Sequence, residues 1–281
     1  MMKNLTLRNI ASACGGEYVG AESGLDLCVE GITTDSRQVP EGGLFVAIPG
    51  ERVDGHDYIP KAEAAGAAAV LSEKELPDAK VPYIRVKSSL QAVKDLAEFY
   101  LAGLKIPVVG IAGSVGKTST KEMVASVLSQ KYRVLKTEGN FNNELGLPLT
   151  IFRLREEHEI AVLEMGISDF GEMHRLSKIA RPQTCILTNI GWCHLENLKT
   201  RDGILKAKSE IFDYIRPDGH VILNGDDDKL STIREVKGIV PRTFGLNPGN
   251  EIWADQLESR GLKGISCRIH TPEGDFDAAI P

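Results

Sequence analysis

The stretch VVGIAGSVGKTSTKE, residues Val108–Glu122, decides the fold because it joins three local patterns in a fixed order. A short apolar run leads into a glycine turn, and a lysine followed by hydroxyl residues then opens a helical pattern. The backbone N–H groups of such a loop can surround a phosphate at the positive end of the helix dipole. The lysine would reach the outer phosphates, and the next hydroxyl would bind Mg²⁺. The stretch therefore predicts a phosphate-binding loop between a strand and a helix.

The spacing of this loop is shorter than that of a complete phosphate-binding motif. Counted back from Lys117, the first glycine of the motif would fall at residue 111, which is Ile111. The match is therefore limited to the run GSVGKT, Gly113–Thr118. The alternative is a tight turn with an incidental lysine, but the strand before it and the helix after it favour phosphate binding.

The chain from Val108 onward alternates between strand patterns and helix patterns. The apolar runs are VVGIAG, IAVLEMG, TCILTNIG and HVILNGDD, and the helical stretches between them are KTSTKEMVASVLSQ, GEMHRLSKIA and TRDGILKAKSEIF. This alternation predicts an α/β fold with a mostly parallel sheet that is covered on both faces. Ligands of such sheets bind at the carboxyl ends of the strands. The residues at those ends are Gly113, Glu164, Asn189 and Asn224.

The first part of the chain follows a different pattern and predicts a separate, small α/β domain over residues 1–104. GLFVAIPG is a short buried-strand pattern, and SSLQAVKDLAEFYLAGL is a long helix pattern that ends shortly before Pro107. A second domain is predicted over residues 105–281. Its last stretch predicts a β-hairpin that turns at Pro272–Asp275. Because the chain stops on a strand, we expect this domain to be incomplete at its carboxyl end.

Composition narrows the class of protein. The chain has 281 residues, 42% of them hydrophobic, and a net charge of −6, which argues against a nucleic-acid partner. Its five cysteines form no CxxC pair, and no apolar run is long enough for a membrane span. We therefore expect a cytoplasmic protein with neither a nucleic-acid nor a membrane partner. The sequence does not indicate an oligomeric state, and a monomer is expected.

Several other residues are weak candidates when each is considered by itself. Glu164 at a strand end could bind Mg²⁺, although such a glutamate is more often solvated or paired. His194 and Lys208 have no spacing that distinguishes them from surface residues. The segment NFNNELGLP, Asn140–Pro148, is rich in amides that suit the recognition of a base or a peptide. The polar turn TTDSR, Thr33–Arg37, is equally compatible with a simple capped turn.

Taken together, these segments resemble the ATP-dependent Mur ligases of peptidoglycan synthesis. The resemblance rests on motifs that occur in family order: TTDSRQVPEGGLFVAIPGERVDGHDYI, GIAGSVGKTSTKE, GNFNNELGLPLT, LEMGISDFGEM, TNIGWCHLENL and KAKSEIF. It is strongest for the branch that joins D-alanyl-D-alanine to UDP-N-acetylmuramoyl-tripeptide. It implies an ATP-dependent carbon–nitrogen ligase that forms an amide bond through an acyl phosphate.

The resemblance also implies roles for individual residues. The ATP phosphates would be bound by Gly113, Ser114, Val115, Gly116, Lys117, Thr118 and Ser119. Thr118 and Glu164 would hold one Mg²⁺, and His194 with a carbamylated Lys208 would serve a second. Lys117, Glu164, His194 and Lys208 would thus form the catalytic set.

The resemblance places the remaining substrate contacts in three further segments. Asn142 and Asn143 would lie near the nucleotide or the incoming peptide, and Asn224 and Asp226 near adenosine. The UDP end of the substrate would contact the amino-terminal domain at Thr34, Asp35, Ser36 and Arg37.

Two departures from the family and three alternatives accompany this interpretation. Family members extend well beyond residue 281, so we expect a carboxyl-terminal ligase domain to be absent, and EMGISDFGEM departs from the usual small-residue and proline pattern. One alternative is an inactive fragment that only binds UDP-muramoyl peptide and ATP. Another is a ligase of the folylpolyglutamate-synthase type, which the DSR run disfavours. A P-loop GTPase is disfavoured by the lack of an NKxD-like motif.

Overall fold

A computed structural model describes residues 2–50 and 52–280. The α-helices of the described residues are α1 Leu7–Ala13, α2 Ile59–Ala64, α3 Ser89–Leu104, α4 Lys117–Leu128, α5 Gly146–Ile151, α6 Glu172–Ala180, α7 Leu195–Leu198 and α8 Arg201–Ser209. The strands of the first part of the chain are β1 Glu17–Val19, β2 Ile32–Thr33, β3 Leu44–Val46, β4 Ala69–Ser72 and β5 Tyr83–Arg85. The later strands are β6 Val108–Ala112, β7 Val134–Lys136, β8 Ile160–Glu164, β9 Thr184–Leu187, β10 His220–Asn224, β11 Arg242–Gly245, β12 Ile252–Ser259, β13 Ile265–Thr271 and β14 Gly274–Ile280.

The chain forms two compact units. The first comprises the described residues of Met1–Ile106, Leu128–Ala161 and Lys178–Ala180. The second comprises those of Pro107–Val127, Val162–Ser177 and Arg181–Pro281. The first unit thus includes a segment from the middle of the chain. The domain boundary near residue 104 stays a prediction.

The first unit contains a five-stranded sheet in the order β1-β5-β4-β3-β2. The strands β2 to β5 pair in parallel, and β1 joins β5 in the antiparallel direction. The apolar side chains Phe45, Val70 and Tyr83 form a core with Ala62 of α2. Ala62 leaves room for this packing because its side chain is a single methyl group.

Helix α3 shows how local sequence sets the limits of an element in the first unit. The hydroxyl of Ser88 accepts a hydrogen bond from the N–H of Gln91 at 3.3 Å and so caps the first turn. The helix ends before Lys105, whose φ of 55° lies in the left-handed region. Its buried face includes Tyr100, whose hydroxyl donates to the carbonyl of Leu154 at 2.7 Å. This bond ties α3 to the chain segment that precedes β8.

The larger sheet has the order β14-β13-β12-β11-β10-β9-β6-β8-β7. Strand β9 pairs in parallel with both β6 and β10, so the ends of these strands lie at the same edge. Strands β10, β11 and β12 continue the parallel arrangement, and β13 and β14 complete it as an antiparallel hairpin. The prediction of an α/β fold with a mostly parallel sheet is confirmed. The predicted hairpin is confirmed as well, and Thr271 pairs with Gly274 across its turn.

Candidate functional site

The phosphate-binding loop predicted from the sequence connects β6 to α4 in the second unit. Gly113 has a φ of +150° and Gly116 a φ of +79°, a range that side chains strongly disfavour. A Cβ atom on Gly113 would lie 1.9 Å from the hydroxyl of Thr188. Gly113 therefore has to be glycine for both conformational and steric reasons.

The end of β9 holds this loop in place. The N–H of Val115 donates to the side-chain oxygen of Asn189 at 3.0 Å, and the Asn189 amide donates back to the Val115 carbonyl at 3.3 Å. The hydroxyl of Thr188 also donates to the Val115 carbonyl, at 2.7 Å. The N–H of Ser114 donates to the Asn189 carbonyl at 3.0 Å. Sequence reasoning located Asn189 at a strand end but assigned it no role, and it did not identify Thr188.

Helix α4 begins at Lys117, directly after the loop. The first N–H groups of an α-helix have no partner within the helix, so this end attracts an anion. Thr118 and Ser119 in the first turn are exposed. The ammonium of Lys117 lies 3.4 Å from the carbonyl of Ser114, so the side chain folds over the loop. The loop can therefore bind a phosphate, because it brings together exposed hydroxyls, helix amides and an ammonium group.

Thr118 and Glu164 bring a side-chain hydroxyl and a carboxylate together beside this loop. The Thr118 hydroxyl donates to Glu164 Oε2 at 2.9 Å. Glu164 ends β8 and is only 2% exposed, so its carboxylate is held at the sheet edge. A hydroxyl and a carboxylate are hard oxygen donors of the kind that Mg²⁺ prefers. These two residues fit the requirements of a magnesium ligand pair.

Lys208 of α8 is buried next to the same loop. It is 1% exposed, and its ammonium donates to the carbonyl of Gly113 at 2.9 Å. Burial lowers the pKa of Lys208 to about 8; Cys193 opposes this shift and the charge of Lys117 adds to it. A buried amine with this pKa is partly neutral near physiological pH and is a better nucleophile than an ordinary lysine.

The remaining member of the predicted catalytic set, His194, precedes α7 with a φ of 50°. Its side chain is exposed. Within the described ranges, no three His, Cys, Asp or Glu side chains are grouped as a metal site. The structure thus brings Thr118, Glu164 and Lys208 to the loop, whereas a metal-binding role for His194 depends on the family resemblance.

Asn224 and Asp226 lie at the end of β10, where they hold neighbouring segments. The Asn224 amide donates to the carbonyl of Thr188 at 2.9 Å. The Asp226 carboxylate accepts hydrogen bonds from the N–H of Leu246 at 2.5 Å and from the Asn250 amide at 2.9 Å. These bonds, the one from Leu246 above all, lower the pKa of Asp226. Both residues hold neighbouring segments by hydrogen bonds, and their contact with adenosine stays a prediction.

The predicted asparagine pair belongs to the first unit. The side-chain oxygen of Asn143 accepts from the N–H groups of Leu145 at 3.2 Å and Gly146 at 2.8 Å, so it supports the start of α5. Asn142 is half-buried beside it. A contact of this pair with a nucleotide or a peptide stays a prediction.

The four residues predicted to bind the UDP end line a cavity of the first unit. The cavity measures about 470 Å³, and its lining includes Thr34, Asp35, Ser36 and Arg37 together with Tyr58 and Lys61. The Arg37 guanidinium donates to the Asp35 carboxylate at 2.7 Å. This bond is the main cause that lowers the pKa of Asp35 to about 2. The cavity thus offers hydroxyls, two cationic side chains and an aromatic ring.

No helix among residues 2–50 and 52–280 combines the length and the apolar character that are needed to cross a bilayer.

Comparisons with known proteins define the class to which this fold and loop belong. Residues 111–281 match the Mur ligase middle domain, and residues 29–101 match the catalytic domain of the Mur ligase family. The chain therefore belongs to the Mur ligase family.

Individual relatives make the comparison more specific. The chain is 40% identical over 273 residues to the UDP-N-acetylmuramoyl-tripeptide–D-alanyl-D-alanine ligase of Bacillus subtilis (strain 168). The alignment covers 96% of this chain and 59% of that relative. The crystal structure of MurF from Acinetobacter baumannii superimposes with a TM-score of 0.88 at 33% identity and covers 98% of this chain and 60% of that one. The crystal structure of the MurF ligase of Thermotoga maritima in complex with ADP superimposes with a TM-score of 0.80 at 34% identity. The match covers 90% of this chain and 58% of the Thermotoga maritima chain. The chain spans about 60% of the length of these relatives.

Proposed function

We propose that the chain carries the sugar-nucleotide site and the ATP site of a ligase that joins D-alanyl-D-alanine to UDP-N-acetylmuramoyl-tripeptide in peptidoglycan synthesis. The observation that carries the proposal is the convergence of Lys117, the Thr118–Glu164 pair and Lys208 on one glycine loop. The relatives named for this activity match almost the whole chain. The ADP complex of the Thermotoga maritima relative supports ATP as the phosphoryl donor.

The proposed chemistry has two steps. An oxygen of the tripeptide's terminal carboxylate attacks the γ-phosphorus of ATP, ADP leaves, and an acyl phosphate forms. The amine of D-alanyl-D-alanine then attacks the acyl carbon, loses a proton, and displaces inorganic phosphate. Lys117 and the first amides of α4 would stabilise the negative charge on the transferring phosphoryl group. No side chain of this chain has to form a covalent bond to the substrate.

Magnesium and a modified lysine complete the proposed site. Thr118 and Glu164 would hold one Mg²⁺, and His194 and Lys208 a second. Bound Mg²⁺ neutralises charge on the phosphates and draws electron density from the reacting phosphorus. An ammonium group repels a cation, so Lys208 would act as a ligand only after its neutral amine has added CO₂ and lost a proton to give a carbamate. The burial of Lys208 and its lowered pKa support this modification.

A direct test of the carbamate uses ¹³C-labelled bicarbonate and NMR of the purified chain. A carbamate signal is expected in the unmodified chain and should disappear in the Lys208→Ala variant. The matched control is Lys121→Ala, because Lys121 is equally buried but is paired with Glu122 at 3.0 Å. Absence of the signal, or its persistence in Lys208→Ala, would rule out carbamylation at this position.

Binding without turnover is the second candidate function, because the chain spans only 59% of the Bacillus subtilis relative. Phosphate release in the presence of ATP, UDP-N-acetylmuramoyl-tripeptide and D-alanyl-D-alanine separates the two, with the Bacillus subtilis enzyme as the positive control. Release that requires all three compounds supports the ligase. Binding of ATP and the tripeptide without release supports the binding function, and binding of a folate in place of the UDP compound contradicts both.

The free cysteines among the described residues agree with a cytoplasmic setting.

A further inference from the structure

The loop between β8 and α6, residues 165–171, follows a predicted metal ligand and has no role in the proposed function. It begins directly after Glu164, and its last residue, Gly171, precedes the first turn of α6. Gly171 has a φ of 76° and carries no side chain that could cap this helix. The first N–H groups of α6 therefore require an acceptor from water or from another part of the chain.

Glu210 supplies this acceptor. Its carboxylate accepts hydrogen bonds from the N–H of Gly171 at 3.0 and 3.1 Å and from the N–H of His174 at 3.2 Å. A negative charge at this end also interacts favourably with the helix dipole. Glu210 opens the short 3₁₀ turn that directly follows α8, and it lies two residues after Lys208. Glu210 thus ties the segment that follows Glu164 to the helix that carries Lys208.

The contact between α6 and the segment after α8 continues farther along α6. The hydroxyl of Ser177 donates to the carbonyl of Ile211 at 2.7 Å and accepts from the N–H of Tyr214 at 3.2 Å. Ser177 is six residues after Gly171, which corresponds to about 9 Å along the helix axis. These bonds keep the two segments together in the absence of the Glu210 carboxylate. Its loss should therefore act locally, at the end of α6 that adjoins the loop.

The loop is also held at two other points. At its start, the N–H of Met165 donates to the carbonyl of Ile111 in β6 at 2.8 Å. In its middle, the carbonyl of Ser168 accepts from the side-chain amide of Asn197 at 3.1 Å, and Asn197 belongs to α7, which follows His194. The loop is thus fixed to β6, to α7 and, at its last residue, to the segment after α8. It connects the three segments that carry the predicted metal-binding side chains.

We propose that Glu210 is a positioning residue that holds the Glu164 carboxylate and the Lys208 side chain at the separation that bound Mg²⁺ requires. The inference rests on the proposed function and adds a residue that acts through the loop rather than as a ligand. Loss of a residue that orients a metal ligand typically lowers metal affinity about 10–100-fold. Because Glu210 acts on the backbone of the loop and not on a ligand atom, the lower end of this range is expected.

Calorimetry with ADP over a series of Mg²⁺ concentrations tests the proposal. In the unmodified chain Mg²⁺ should lower the Kd of ADP, and the titration gives the Mg²⁺ concentration at which half of this change is reached. Glu210→Ala should raise that concentration about tenfold. It should leave the Kd of ADP in EDTA unchanged, because no metal is bound there.

Ser177→Ala is the matched control, because it removes two hydrogen bonds of the same contact at the end away from the loop. It should lower the free energy of unfolding without changing the Mg²⁺ dependence. A second control uses Glu164→Gln, which removes the predicted ligand. Adding Glu210→Ala to this variant should have little further effect on ADP binding in Mg²⁺, whereas a general loosening of the unit would weaken binding in both backgrounds alike.

The outcomes separate this inference from the proposed function. If Mg²⁺ does not tighten ADP binding to the unmodified chain, the proposed magnesium-dependent ATP site fails and the inference fails with it. If Mg²⁺ tightens binding but Glu210→Ala does not change the Mg²⁺ dependence, or changes it no more than Ser177→Ala does, the inference is wrong while the proposed function stands.

Folding and the loss of the bonds are checked separately. Urea denaturation of each variant checks folding, and amide hydrogen exchange at Gly171 and His174 should become faster in Glu210→Ala. If Glu210→Ala does not fold, Glu210→Asp decides the question. The aspartate keeps the charge but withdraws the carboxylate from both amides by about 1.5 Å, the length of one carbon–carbon bond. It should raise the required Mg²⁺ concentration in the same direction, and an unchanged concentration would overturn the inference.

Discussion

The conformation of Gly113 leads to a sharp prediction about the phosphate-binding loop. Gly113→Ala places a methyl group where the Cβ would lie 1.9 Å from the hydroxyl of Thr188 and 3.1 Å from its Cβ. The backbone at this position also has a φ of +150°, which an alanine strongly disfavours. The variant therefore suffers from two separate penalties, one conformational and one steric.

Gly274→Ala separates these penalties. Gly274 has a φ of +139°, and an added Cβ would meet no atom within 4 Å. It should therefore show the conformational cost alone, about 1–3 kcal/mol in the free energy of unfolding. Gly113→Ala should show this cost plus roughly 1–3 kcal/mol for overpacking. Part of the second cost should disappear in the double variant Gly113→Ala, Thr188→Ala, because the nearest atom is then absent.

Urea denaturation followed by circular dichroism measures these free energies, and calorimetry with ADP measures the effect on the loop. We expect Gly113→Ala to be the less stable of the two single variants and to lose nucleotide affinity, whereas Gly274→Ala should keep it. Equal destabilisation of the two variants would show that the steric contact with Thr188 does not exist in solution. Unchanged ADP binding in a folded Gly113→Ala variant would refute the role of this loop in phosphate binding.

Two further predictions concern a contact of the loop and a charge pair of the first unit. Asn189→Ala should weaken ADP binding in calorimetry because it removes both side-chain hydrogen bonds to Val115. Equal affinity in Asn189→Ala and the unmodified chain would contradict this. Asp35→Asn should lower the free energy of unfolding at pH 6, measured in urea. Since Arg37 lowers the pKa of Asp35 from 3.8 to about 2, the difference should shrink as the pH falls through this interval, and a difference that persists below pH 2 would refute the ion pair as its cause.

Local patterns predicted much of the fold because they depend on neighbouring residues only. The spacing of apolar residues predicted helix α3, and the continuous apolar runs predicted strands β6, β8, β9 and β10. The hairpin of β13 and β14 followed from turn residues between two extended runs. Composition could not show that the segment 128–161 belongs to the first unit, because this depends on contacts far apart in the chain.

The candidate site was predictable in its residue types and less so in its supporting contacts. The motif around Lys117 indicated a phosphate site, and the strand-end position of Glu164 indicated a metal ligand. The sequence did not predict a role for Thr188, because a threonine at the end of an apolar strand has no distinguishing pattern. Its role follows from the 2.7 Å bond to Val115, a residue 73 positions earlier. A hydrogen bond between such distant positions leaves no periodic signal in the sequence.

The sequence by itself determined the class of fold, the order of the motifs and the position of the glycine loop, because each depends on short-range preferences of the backbone and on local apolar spacing. Only the tertiary structure decided which motifs meet. Strand β9 lies beside β6, and this arrangement brings Asn189 to the loop. The fold also buries Lys208 against the carbonyl of Gly113, 95 residues away. The physical reason is that strand order is set by packing over the whole sheet, which no local stretch encodes.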